Sequence, residues 1–169
     1  AAAFIMFGLG GVAFDPAGGE TVFTKRIAAI GVNTLDSPYQ ETNVDTIVSA
    51  ILATPTDTKI IVGGDSLGAN NTPAVAQALL GRRNVDYIFG FQPSEYGAHN
   101  LVPANVLQAR CIYNPNPIET AGLGCYEWQL AAGNRTTKLS VVTNSDFHPG
   151  DDDVAMQNLI LADIERLVG

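Results

Sequence analysis

The sequence is poor in charge, in cysteine and in long apolar runs. Only 15% of its 169 residues are charged, and 9 Lys and Arg stand against 17 Asp and Glu, which gives a net charge of −8. An acidic chain repels phosphate backbones and anionic headgroups, so we expect no nucleic-acid partner and no polybasic membrane patch. Two cysteines allow at most one disulfide, which excludes a disulfide scaffold.

The apolar residues that are present favour one folded domain and no transmembrane segment. The longest apolar stretch, residues 1–14, is broken by three glycines and falls short of the ~20 residues that span a bilayer. A hydrophobic fraction of 46% and a mean hydropathy of +0.13 argue against disorder. The length suits a single domain over residues 1–169. The chain opens on alanine rather than Met, so its start does not bear on export.

Short apolar runs alternate with helical patterns along most of the chain. This alternation predicts an α/β fold, a three-layer sandwich with a mostly parallel sheet of five to six strands and helices on both faces. Two stretches, 92–105 and 114–133, are predicted to be loops with about one helical turn each. The predicted strands are 4–8, 29–33, 59–62, 85–89, 109–113 and 139–143, and the predicted helices are 21–29, 43–53, 67–80 and 154–168.

A Gly-x-Ser-x-Gly motif stands between a predicted strand and a predicted helix. It reads Gly64-Asp65-Ser66-Leu67-Gly68, and this context is the one in which a serine on a sharp turn acts as a nucleophile. The N–H of Leu67, at the helix start, is the expected first oxyanion donor, and Asp65 is expected to be solvated. Pro73 leaves open a later helix start, with Thr72 as the N-cap.

The same residues spell Gly-Asp-Ser-Leu, which resembles the signature of the GDSL or SGNH hydrolases. In that family the motif lies on the first strand and the base sits in Asp-x-x-His. Here two predicted strands precede the motif, no Gly-x-Asn-Asp follows it, and Ser145 stands three residues before His148. A GDSL-type esterase is therefore kept only as an alternative.

His148 is the expected general base, because it follows the last predicted strand and a loop there can reach back to Ser66. His99 lacks such a context and is expected at the surface or at most lining a substrate site. A metal site of His148 with the acids that follow it matches no zinc spacing, so no metal and no cofactor are expected. Those acids, Asp151, Asp152 and Asp153, suit the first turn of the last helix.

With serine and histidine in this order, most of the chain resembles the α/β-hydrolase superfamily, and its small lidless cutinase-like esterases in particular. The resemblance implies a minimal α/β-hydrolase fold and hydrolysis of carboxylic esters through an acyl-enzyme. It also implies a second oxyanion donor in the glycine-rich loop after the first strand, at Leu9 with Gly10 as the neighbouring option. A neutral ester, whether small, lipid or polymeric, is the substrate expected for an acidic chain.

The catalytic acid is the point at which the sequence departs from such enzymes. In them the acid follows the second strand after the nucleophile motif. Here that strand is the predicted strand 109–113, which brings Asn116 to the expected position of the acid. Glu119 is the nearest carboxylate and our first choice, Asp146 is the second and Glu95 the third, because the imidazole needs an ionised partner. A hydrolase-shaped binding or structural module that has lost its acid is the alternative.

Cys111 and Cys125 bracket the same loop. They are either bridged, as cutinase-like enzymes pin the acid loop, or two buried thiols; a bridge would favour a secreted or cell-envelope protein. Neither long loop could form a separate cap domain, so we expect an open, lidless cleft.

Overall fold

The computed structural model describes residues 1–6, 19–35, 37, 39, 43–94, 99–116, 127–143 and 153–169, without the side chains of 19 and 20. The strands and helices along these residues are β1 (Ala2–Met6), α1 (Gly19–Ala29), α2 (Val44–Ala53), β2 (Ile60–Asp65), α3 (Ser66–Ala78), β3 (Val85–Phe91), β4 (Leu101–Val102), β5 (Val106–Tyr113), β6 (Gln129–Leu130), β7 (Lys138–Thr143) and α4 (Val154–Val168). The predicted alternation of strands and helices is only partly observed, because among these described elements α2 follows α1 directly and five strands lie between α3 and α4.

The main sheet has five strands in the order β1-β2-β3-β5-β7, and each neighbouring pair is parallel. All its carboxyl ends therefore meet at one edge. The register places Met6 of β1 beside Gly64 of β2, and Asp65 of β2 beside Phe91 of β3. Residues that end neighbouring strands are consequently brought together at that edge, where parallel sheets bind ligands.

Successive strand side chains point to opposite faces, so each face collects its own apolar cluster. Phe23 and Ile27 of α1 and Ile160 and Ile164 of α4 pack on one face. The apolar stripe of α2 and residues of α3 pack on the other. The predicted three-layer α/β sandwich is confirmed, and within the described residues its sheet has five strands.

Three of the predicted segments, the strand 29–33 and the two loops, differ from the structure. The predicted strand 29–33 is wrong: α1 continues to Ala29, Gly31 has a φ of +83°, and residue 33 forms only a single bridge, to Ala2. One strand, not two, therefore precedes the Ser66 motif in the described residues. The predicted loops also contain β4 and β6, which pair with each other in parallel.

The two helices that matter most begin at well-defined residues. α3 begins at Ser66 and continues through Pro73, so the later start considered at Thr72 is wrong. α4 spans Val154–Val168 as predicted, and the carboxylate of Asp153 caps it by accepting the N–H groups of residues 155 and 156 at 2.8 and 3.2 Å. None of the described helices is long and apolar enough to cross a membrane.

Candidate functional site

The junction between β2 and α3 holds Ser66 in an unusual backbone conformation. Asp65 is the last residue of the strand and Ser66 is the first of the helix, with no loop between them. Ser66 has a φ of +50°, in the left-handed region that a residue with a β-carbon rarely enters, and it is 6% exposed. A left-handed serine at the direct junction of a strand and a helix is the backbone conformation that a nucleophile elbow would require.

Gly64 allows the chain to turn this tightly. A β-carbon at this position would lie 2.6 Å from the carbonyl oxygen of Met6 and 2.8 Å from the carbonyl carbon of Gly68. Both neighbours are backbone atoms and cannot rotate away. The first glycine of the motif is thus required by the close approach of β1, β2 and α3.

The start of α3 directs backbone donors toward the same edge. Leu67 is the second residue of the helix, and the N–H groups of a first helical turn have no acceptor within the helix. The positive end of the helix dipole lies there too, which favours a developing negative charge.

Asp65 is 4% exposed, so the expectation that it is solvated is wrong: as the last residue of β2 it is enclosed between β1 and β3.

A second strained residue directly follows the neighbouring strand β3. Gln92 follows β3 with a φ of +45° and is fully buried. Its N–H donates to the carbonyl of Ile112 at 2.7 Å, and two residues later the N–H of Ser94 donates to the carbonyl of Ser66 at 3.2 Å. Sequence reasoning missed Gln92 and Ser94, because neither residue type signals a left-handed turn or a contact with the motif.

Beyond β5, the first described residues carry amides. Asn114 is 1% exposed, and its Oδ1 accepts the N–H of Asn116 at 2.9 Å. Asn116, the expected position of the acid, is half-buried. The described residues 114–116 of this segment include no carboxylate, and Asn114 is a buried polar residue that sequence reasoning did not single out.

The remaining predicted site residues lie outside the described residues. They are His148, the carboxylates Glu119, Asp146 and Glu95, the second oxyanion position at Leu9 and Gly10, and Cys125. His99 is exposed, as expected, and its N–H contacts Asn70 Oδ1 of α3 at 3.4 Å. Cys111 is buried in β5 against the face covered by α2 and α3.

The strongest electrostatic interactions of the described residues lie away from Ser66, under α4. The carboxylate of Asp163 accepts the guanidinium of Arg110, the hydroxyl of Tyr87 at 2.8 Å and the guanidinium of Arg166. Burial raises the pKa of the Asp163 carboxyl, but the hydrogen bonds from Arg110 and Tyr87 and the positive charges of Arg110 and Arg166 together lower the pKa by more, so it lies below its ordinary value. Burial and the same carboxylate raise the pKa of Tyr87 well above its ordinary value, which keeps its hydroxyl a donor.

A cleft of about 680 Å³ opens at the opposite end of the sheet, near the starts of β2 and β3. Two of the charged residues that line it, Asp86 and Arg83, hold hydrogen bonds to the backbone. Asp86 accepts the N–H of Ile60 at 2.8 Å, and Arg83 donates to the carbonyls of Pro55 and Thr58 at 2.6 and 2.9 Å. No group of three or more His, Cys, Asp or Glu within the described residues could hold a metal ion. The carboxyl edge around Ser66 is the better candidate for chemistry.

The fold and this junction define a class: a parallel α/β sandwich with a serine at a strained strand-to-helix turn. Comparison of the sequence with protein-family models and with curated proteins finds no match. Among solved structures, the chain is similar to a protein from Xanthomonas campestris pv. campestris, whose description proposes a hydrolase of the α/β superfamily. The TM-score is 0.56 at 12% identity, and the match covers 98% of this chain and 96% of that one. Such a likeness shows a shared fold.

Proposed function

We propose that this protein is a serine-dependent carboxylic ester hydrolase of the cutinase-like or lipase-like kind, with Ser66 as its nucleophile. The observation that carries the proposal is the left-handed Ser66 at the direct junction of β2 and α3, with a φ of +50°. A strained residue of this kind is costly unless the surrounding structure holds it, and such residues cluster at functional sites. The superfamily named for the structural neighbour is consistent with a hydrolase.

In the proposed reaction, Ser66 Oγ attacks the ester carbonyl while His148 takes the serine proton. The carbonyl oxygen becomes an oxyanion, held by the N–H of Leu67 and by the second donor predicted at Leu9 or Gly10. The intermediate then expels the alcohol oxygen, which receives the proton from His148. Water attacks the acyl-enzyme by the same route and releases the carboxylic acid, so no cofactor is required.

The third member of the triad is proposed to be Glu119, with Asp146 and Glu95 as alternatives. Its role is to hold the imidazole of His148 in the correct tautomer and to stabilise the imidazolium. An amide at the position of Asn116 could orient the ring but would not supply the charge.

That distinction supports a second candidate function. The first polar side chains after β5 are the amides of Asn114 and Asn116, at the edge where the resemblance predicts a carboxylate. A chain that has lost its acid would keep the fold and a cleft but hydrolyse esters poorly, as a binding or structural module. Loss of the acid in the serine-protease template lowers kcat about 10⁴-fold, so the two candidates differ by a measurable amount.

Covalent labelling with a fluorophosphonate tests the proposal without a guess about the substrate. The wild-type protein should be labelled at Ser66, as located by peptide mass spectrometry, and should hydrolyse a short p-nitrophenyl ester. Ser66→Ala should lose both. Ser49→Ala is the matched control, because Ser49 is an exposed serine on α2, and it should keep both. A wild-type rate no greater than that of Ser66→Ala contradicts the enzyme proposal and favours the binding module.

A further inference from the structure

Two neighbouring parallel strands are each followed by a left-handed residue that is not glycine. Asp65 and Phe91 lie side by side in the register of β2 and β3. The residue after each of them, Ser66 and Gln92, has a positive φ, of +50° and +45°. The two strained residues are therefore adjacent at the same edge of the sheet, although 26 positions separate them in the sequence.

Gln92 adopts this conformation with a side chain that disfavours it. Glycine enters the left-handed region freely, and asparagine and aspartate are enriched there, whereas glutamine gains no such local stabilisation. Gln92 is fully buried, and its N–H is tied to the carbonyl of Ile112 in β5 at 2.7 Å. The surrounding packing thus imposes the turn, and the direction in which the chain leaves β3 follows from it.

The turn brings the backbone of Ser94 onto Ser66. The N–H of Ser94 donates to the carbonyl oxygen of Ser66 at 3.2 Å, and both residues are buried. The hydroxyl of Ser94 is buried and has no hydrogen-bond partner within the described part of the chain. The contact between the two segments consequently runs through the backbone of Ser94, whose position depends on the turn at Gln92.

We propose that Gln92 is a positioning residue for Ser66. Its left-handed backbone places the N–H of Ser94 on the Ser66 carbonyl, and this hydrogen bond holds the elbow in the orientation from which Ser66 Oγ reacts. The inference rests on the proposed role of Ser66 as nucleophile. A misplacement of about 1 Å at a reacting group can cost about 10²-fold in rate, so a backbone clamp of this kind can set the rate without touching substrate.

The test compares Gln92→Asn with Gln92→Thr. Both side chains are polar and shorter than glutamine, but asparagine tolerates a left-handed backbone and the β-branched threonine does not. We expect Gln92→Asn to keep most of the wild-type fluorophosphonate labelling rate and kcat. Gln92→Thr should lose about 10²-fold in both, with KM unchanged. Hydrogen exchange at the Ser94 amide, read by NMR, should be slow in wild type and Gln92→Asn and faster in Gln92→Thr.

Equal labelling and equal exchange in the two variants, while wild type is labelled, would overturn the positioning role and leave the proposed function intact. A wild-type protein that is not labelled at Ser66 would overturn both. If Gln92→Thr does not fold, Gln92→Gly and Gln92→Ala make the same comparison, since they differ by one methyl group and only glycine accepts the conformation without strain. A labelling rate in Gln92→Ala equal to that in Gln92→Gly would then count against the inference.

Discussion

A β-carbon added to Gly64 would lie 2.6 Å from the carbonyl oxygen of Met6. The two residues are partners in the register of β1 and β2, so the turn before Ser66 is packed backbone to backbone against the end of the first strand. The carbonyl carbon of Gly68, in the first turn of α3, would be only 2.8 Å away as well. The conformation of the turn from β2 into α3 is therefore fixed by contacts that no side-chain rotation can relieve.

Gly64→Ala should consequently impair Ser66 itself. The added methyl group must push apart β1, β2 and α3, which costs about 1–3 kcal/mol of stability and moves the serine. We expect the fluorophosphonate labelling rate to fall at least about 10²-fold per folded molecule. The folded fraction is measured by circular dichroism on the same sample.

Gly63→Ala is the matched control for this substitution. Gly63 is the neighbouring residue of β2, and its β-carbon would meet the ring of Phe89 at 2.2 Å, on the opposite face of the sheet from the Gly64 contacts. It should lose stability to a similar extent while the folded molecules keep their labelling rate. Equal losses of labelling in both variants would mean that Gly64 affects only folding.

The elements that the sequence predicted well are those whose information is local. α4 combines an apolar stripe with an N-cap at Asp153, and its bounds were predicted without error. The Ser66 junction could be placed because the Gly-x-Ser-x-Gly motif combines the serine with the glycine that the turn requires. The parallel sheet followed from the alternation of apolar runs and helical patterns.

What the sequence could not show depends on partners distant in the chain. The two-residue strands β4 and β6 exist only because Leu101 and Gln129 meet across the fold. The backbone of Gln92 is left-handed because the surrounding residues hold it in that conformation, and glutamine as a residue type does not predict it. Asp65, polar and beside the motif, is buried because β1 and β3 flank its strand on both sides.

The catalytic acid can be identified by comparing single amide substitutions. We expect Glu119→Gln to lower kcat by about 10⁴-fold, since the imidazolium of the proposed base, His148, would lose its charged partner. Asp146→Asn and Glu95→Gln should have little effect in the same p-nitrophenyl ester assay. Full activity in Glu119→Gln would make that choice wrong, and whichever of the other two loses activity would take its place.

If all three variants keep the wild-type rate, the amides after β5 become the relevant residues. Asn114 is then the best test, because it is buried at the strand end and its Oδ1 already holds the N–H of Asn116. In that case Asn114→Ala should lower the rate, whereas Pro115→Ala, at an exposed neighbouring position, should not.

The redox state of the cysteine pair can be tested directly. A bridge between Cys111 and Cys125, one of the two alternatives that the sequence leaves open, would close a loop of about 15 residues and stabilise the fold by about 3 kcal/mol. Thiol titration of the denatured, unreduced protein should then find no free thiol. Reduction should lower the Tm of wild type but not that of Cys125→Ser, and two titratable thiols would contradict the bridge.

The interactions of Asp163 under α4 predict an acid-sensitive contribution to stability. Burial raises the pKa of this carboxyl in the folded protein, but the hydrogen bonds from Arg110 and Tyr87 and the charges of Arg110 and Arg166 together lower it by more. A carboxyl whose folded pKa lies below its unfolded value stabilises the fold fully above the unfolded pKa, about 3.9, and loses that contribution as the pH falls through the folded pKa. We therefore expect Asp163→Asn to cost about 3 kcal/mol near neutral pH, because it leaves Arg110 without its anion.

The difference between wild type and Asp163→Asn should shrink as the pH falls below about 4, since protonation removes the same charge from the wild-type protein. Urea unfolding at a series of pH values measures this directly. Asp57→Asn is the control, because Asp57 is exposed, and it should change stability by less than about 0.5 kcal/mol. A difference between wild type and Asp163→Asn that does not vary with pH would show that the asparagine disturbs packing, and that the charge of Asp163 contributes nothing to the stability of the fold.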